Sequence, residues 1–339
     1  MRNRTPALAL VLLLAWAGAE GTRAASAQSA IPATDRVRLA ETFRLADSLG
    51  ERLWNGWYHA PFAVLLVTPQ REFLLRHPRP TAGFDSLGFD SLLGSAVWSR
   101  PRRFDVHFLA TFPAVGTVPT IVVGEAESTT AKTSTPWVLT LLHEHLHQLQ
   151  YSRSDYRARA DSLNLAHGDS TGMWMIRYPF PYKDPEVVRR FARLDSAMVA
   201  ALHAAAGADL QRNVAAYLDA KKDVRAAIPA ADYRYMEFQL WQEGAARYTE
   251  IRMAMLASTG YAPSAGYRGL PDVVPYAAQV RAGQKQIEGE LAMPLDRVRR
   301  VIFYSLGAGE ALLLDRLNPS WPERYLARMF SLDDEFNTR

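Results

Sequence analysis

The decapeptide LLHEHLHQLQ, residues 141–150, places three of the chain's eight histidines within five positions, around Glu144. Wound as an α-helix, His143 and His147 stand one turn apart on one face, so two imidazoles can grip a single ion. Glu144 is rotated by about 100° from His143, beside that ion rather than on it. A carboxylate there can take a proton from water activated by the metal. His145 falls on another face and is expected to pack or to support a neighbour. The flanking Trp137, Val138, Leu139, Leu141, Leu142, Leu146 and Leu149 are apolar nearly all round, which predicts a buried helix over 136–152. Burying two histidines and a glutamate there is costly unless something uses them. The competing reading is a set of satisfied polar side chains in a core helix; the HExxH spacing favours a metal. Thr135-Pro136 suits the helix start, threonine as cap and proline in the first turn.

The chain has 339 residues, a formal net charge of +4 and no cysteine. That length supports one large domain or two lobes with a proper core. Residues 1–27 read as a secretory signal peptide: Arg2 and Arg4, the 14-residue apolar run PALALVLLLAWAGA, then Ala25-Ser26-Ala27 as the cleavage site. The run is shorter than the about 20 residues of a membrane span, and an uncleaved anchor is the rival reading. No cysteine follows it, so lipid attachment is not expected. Residues 1–27 hold Arg2, Arg4, Arg23 and Glu20, a net of +2, which leaves +2 on residues 28–339. Nucleic acid is therefore not an expected partner. With no second long apolar run, residues 28–339 are expected to form a soluble periplasmic or extracellular domain without disulfides.

The periodicity predicts a helix over 35–54 and strands over 63–68, 72–77, 105–111 and 119–124, the first two as a hairpin. From 136 onward the pattern is helical: 136–152, 185–206, 210–222, 232–258 and 295–317. Segments 155–184 and 260–276 read as loops that wall a cleft. The expectation is an α+β fold, a small mixed-sheet lobe (28–134, with its helix) followed by a larger helical lobe (135–339).

Two histidines need a third protein ligand if one position is to stay open for water. The best candidate lies in YMEFQLWQEGAARYTEIRM (235–253), where Glu243 and Glu250 are two turns apart on one face. One can bind metal while the other fixes a histidine tautomer. Trp241-Gln242-Glu243-Gly244 with Tyr248 and Glu250 resembles the W-x-x-N-E-G-x-x-x-Y-x-E segment of aminopeptidase N-like gluzincins. Tyr304-Ser305-Leu306-Gly307 resembles that family's Y-x-x-G, and Gly124-Glu125-Ala126-Glu127-Ser128 faintly its G-x-M-E-N strand. The resemblance implies a thermolysin-like zincin catalytic domain with zinc on His143, His147 and Glu243. It implies Glu250 in support of a ligand, Tyr304 as oxyanion donor, and Gly124 and Glu127 at the substrate's free amino terminus. Residues 152–231 would then be a helical insertion between the ligand helices. Tyr325 and Tyr267 are alternatives to Tyr304.

The expected function is an exported zinc peptidase acting on peptides or proteins, with Glu144 as general base; the resemblance points to an aminopeptidase. Strand 119–124 is expected to pair with the substrate backbone. Two alternatives stay open: an endopeptidase on envelope or extracellular proteins, and a non-catalytic envelope protein with structural zinc. Other first-row ions fit the same donors.

Overall fold

The computed structural model describes residues 30–80 and 83–337; the signal segment read in 1–27 lies outside them. Six strands, β1 (Val64–Val67), β2 (Arg71–Leu75), β3 (Asp85–Asp90), β4 (Ser95–Pro101), β5 (Leu109–Val115) and β6 (Val118–Gly124), form one sheet. Its order is β3-β4-β2-β1-β6-β5, with β1 and β6 parallel and the other neighbours antiparallel. Side-chain alternation divides the sheet into two faces. Val64, Leu66, Phe73, Leu75, Ile121 and Val123 join the main core, while Leu65, Val67, Leu74 and Val122 pack with Phe104, Phe108 and Phe112 on the other side.

The long helices are α1 (Ala33–Leu53), α2 (Ser134–Tyr151), α3 (Pro185–His203), α4 (Ala208–Ala227), α5 (Ala230–Gln239), α6 (Ala245–Gly260), α7 (Tyr276–Leu291) and α8 (Val301–Leu317). This is a mixed α+β architecture. Helix α2, buried at every position from 141 to 150, is its axis: α1, α6, β5 and β6 all pack on it. Because α1 packs on α2 and α6, the lobes expected at 28–134 and 135–339 interlock around one core. The α3–α4 hairpin occupies the expected 152–231 insertion and leans on α8. Among the described residues no helix is long and apolar enough to cross a membrane.

Several expectations need correction. Strand β6 offers the substrate no edge, because β1 and β5 occupy both its sides; the sheet ends at β5. The strand expected at 105–111 begins only at Leu109, because the Asp105 carboxylate closes a turn by accepting the His107 N–H at 2.8 Å. Strand β3 is exposed along most of its length and carries no apolar alternation to announce it. Helix α7 buries only Tyr276, Ile287 and Leu291. Thr135 does not cap α2: its hydroxyl donates to the Val274 carbonyl at 2.9 Å. Asp272 does the capping, accepting the Ser134 N–H at 2.8 Å and hydroxyl at 2.7 Å. Segment 260–276 thus serves the start of α2, where a carboxylate also meets the positive end of the helix dipole.

Candidate metal centre

Helix geometry brings the His143 and His147 rings to 5.0 Å between centroids. Both Nε2 atoms converge on one oxygen, Glu243 Oε2, at 3.7 Å from His143 and 3.4 Å from His147. Both Nδ1 atoms are engaged behind: His143 with Glu250 Oε1 at 2.7 Å, His147 with Gln150 Oε1 at 2.8 Å. Each acceptor fixes the proton on Nδ1 and turns the Nε2 lone pair inward. The 3.4 and 3.7 Å separations exceed a normal hydrogen bond. They are close to the roughly 3.3–3.4 Å between ligands that each stand about 2.0–2.1 Å from one tetrahedral ion. Two imidazoles, one carboxylate and ordered outer partners are a donor set that fits zinc.

Glu243 reaches this position from a single wide π-helical turn, Leu240–Gly244, between α5 and α6. Gly244 lets that turn meet α8 backbone to backbone: a Cβ on it would stand 2.4 Å from Gly307 Cα. The Glu-Gly and Tyr-x-x-Gly segments are therefore two sides of one contact. Tyr248, in contrast, is core: its hydroxyl donates to Asp315 at 2.8 Å and its ring packs edge-on against Trp54 and Trp321.

Charge in the cluster is strongly coupled. Burial works to raise the Glu243 carboxyl, but His147, His143 and Arg300 hold it well below the ordinary range. Burial works to lower His143, but Glu243 and Glu250 hold it up to about 10. His147 is raised too, burial being outweighed by Glu243. Carboxylates that favour protons on both imidazoles create the potential of a cation site, and a divalent ion competes with those protons.

Glu144 also lies in reach: one carboxylate oxygen and one ring nitrogen from each of His143 and His147 lie within 4.8 Å of one another. Its Oε2 accepts from the Thr111 hydroxyl on β5 at 2.7 Å. Tyr304, near the start of α8, stacks on His143 at 6.2 Å; burial, then the nearby Glu243 charge, raises its hydroxyl well above 10, so it stays a donor.

His145 stacks on Phe62 at 4.0 Å and meets Trp57 edge-on; burial lowers it to about 4, so it packs as a neutral ring. Tyr325 is buried against Gln150 and the Trp241 carbonyl, and Tyr267 bonds Thr135; neither faces the cluster. Glu127 is gripped by Arg38 at 2.6 and 3.0 Å. That Arg38 also binds Ser134, about 14 Å along α2 from His143 at 1.5 Å per residue. The structure does not bring Glu127 to the histidines. Gly124 is a packing glycine: a Cβ there would stand 1.7 Å from the Val106 carbonyl oxygen.

Sequence reasoning missed Thr111, Gln150 and Arg300. Gln150, three residues after His147, was readable as its neighbour on the helix; Thr111 comes from a separate strand and carries no local signal. No family model, curated protein or solved structure matches the chain.

Proposed function

We propose that the chain is a zinc-dependent peptidase with a thermolysin-like zincin arrangement, exported if residues 1–27 act as a signal. The observation that carries this is the convergence of the His143 and His147 Nε2 atoms on Glu243 Oε2, with Glu144 beside them. His143, His147 and Glu243 would hold the ion. Zinc bound there would polarise a substrate carbonyl and lower the pKa of water toward neutrality. Glu144, oriented by Thr111, would take the proton of the attacking water and pass it to the leaving amine. Tyr304 would donate its hydroxyl hydrogen to the developing oxyanion. The outer edge of β5 would supply main-chain partners for an extended peptide. Capture of a substrate amine by Glu127 has no geometric support, which favours cleavage that does not depend on a free amino terminus.

Zinc content tests the reading. About one zinc per chain in wild type, lost in Glu243→Ala and kept in Glu144→Gln, is the expected pattern, with peptide hydrolysis lost in both variants. Unchanged zinc in Glu243→Ala removes the third ligand. Full hydrolysis by Glu144→Gln removes the catalytic reading and leaves a structural metal.

A further inference from the structure

Arg300 stands beside the metal centre and no step above uses it. Its Nη1 lies 3.4 Å from Glu243 Oε1 and 3.3 Å from Gln239 Oε1. The guanidinium carbon is 5.1 Å from the Tyr304 ring centroid. Its side chain is 24% exposed, against 13% for Glu243 and 8% for His143. The chain bends sharply to place it. Arg299 takes φ 49° and ψ −131°, a costly conformation for a residue with a Cβ, which splits the helix expected over 295–317.

A second guanidinium, Arg247, lies 5.2 Å from the same ring, but Glu290 holds it through both oxygens at 3.1 and 3.2 Å. Its charge is spent. Arg300 differs: its one carboxylate contact among the described residues is longer than the about 2.7–2.9 Å of a charge-assisted bond. That carboxylate is also the proposed third ligand. The bonds to Gln239 and Glu243 both leave from Nη1, and a guanidinium carries five N–H donors in a fork shaped for a carboxylate. Glu250 is held by His143 and Glu290 by Arg247, so Arg300 is the cation of this cluster left with donors to spare for a substrate.

We infer that Arg300 binds a carboxylate of the substrate next to the scissile bond, an assignment that rests on the peptidase reading. That carboxylate is either a free carboxy terminus or an aspartate or glutamate side chain. Three probes separate these: amino-terminally labelled hexa-alanine with a free carboxylate, the same peptide amidated, and an amidated version with one central glutamate. Each is titrated by fluorescence anisotropy into zinc-loaded Glu144→Gln protein. The peptide that carries the recognised carboxylate should bind roughly 10- to 100-fold tighter than amidated hexa-alanine. The preference should vanish on adding Arg300→Gln and return in part with Arg300→Lys, which keeps charge but loses the fork. Equal binding of all three, or binding of none, overturns the inference. An Arg300 that only positions Glu243 would weaken every peptide alike and lower zinc content. Zinc content and cleavage of denatured casein by wild type are read separately: a zinc-loaded, active chain without acid preference loses this inference alone.

Discussion

Helix α8 and the Leu240–Gly244 turn meet with no side chain between them, and Gly307→Ala tests how much the metal centre depends on that contact. The added methyl would stand 2.3 Å from the Leu240 carbonyl oxygen, 2.8 Å from Gly244 Cα and 2.9 Å from the Leu240 carbonyl carbon. Carbon pairs sit best at about 3.5–4.0 Å, so α8 must withdraw by roughly 1 Å. Every atom in the way is backbone, so no flexible side chain can yield. Overpacking of this kind costs about 1–3 kcal/mol of stability. The withdrawal also loosens the turn that aims Glu243 between the histidines, so zinc affinity should fall at least about tenfold, the scale of losing an outer support. Urea unfolding midpoints and competition with a chromophoric chelator read the two effects. Gly289→Ala on α7 is the control, since nothing lies within 4 Å of its added Cβ. It should raise stability by up to about 1 kcal/mol and leave zinc binding unchanged. If Gly307→Ala matches wild type in both measurements, the contact is not what holds Glu243, and the explanation of the paired glycines is wrong.

Three further outcomes follow from buried charge. Glu250→Ala removes the acceptor 2.7 Å from His143 Nδ1 and should weaken zinc binding by about 10- to 100-fold, measured by calorimetry; an unchanged affinity would show that Glu250 does not orient the ligand. Lys221 is buried among Glu237 at 2.8 Å and Glu310 and Asp333 at 2.6 Å each. Lys221→Met leaves those carboxylates without their shared cation and should cost about 3–5 kcal/mol at pH 7; equal urea midpoints for mutant and wild type at pH 7 would contradict this. Burial raises Glu237 from 4.5 to about 7, outweighing Lys221. The folded state therefore binds its proton more tightly than the unfolded chain, so this contribution is full below pH 4.5 and lost as pH rises through 7. Glu237→Gln keeps an acceptor for the Ser331 hydroxyl, 2.6 Å away, and cannot ionise, so its stability relative to wild type should improve from pH 5 to pH 8. Parallel pH curves would sink that account.

What could be read from the sequence was chemistry carried by one helix. His143, Glu144 and His147 were legible because four residues is one turn, and the direction of each side chain follows from that alone. Glu243 and Glu250 were legible as a spaced pair, although the π-helical turn that aims Glu243 was not. The misreadings share a cause: they needed a partner from elsewhere in the chain. Glu127 looks like a free carboxylate beside a strand until Arg38, 89 residues earlier, is seen to hold it. The run PTIVVG (119–124) precedes the metal helix, and that position alone suggests a strand that meets substrate. Its β-branched, almost wholly apolar character argues the reverse, since a strand buried on both faces is characteristic of a sheet's interior. The edge strand β5 carries Pro113, and its register against β6 shifts between Phe112 and Val115, as edges tolerate and central strands do not. Arg300 stayed hidden for a different reason. LDRVRRVIFYSLG has continuous helical periodicity, and only the left-handed backbone of Arg299 breaks it and sets Arg300 beside Glu243. Helical pattern predicts burial, not the position of a break, so a residue delivered to a site by a break is the kind that sequence reading misses.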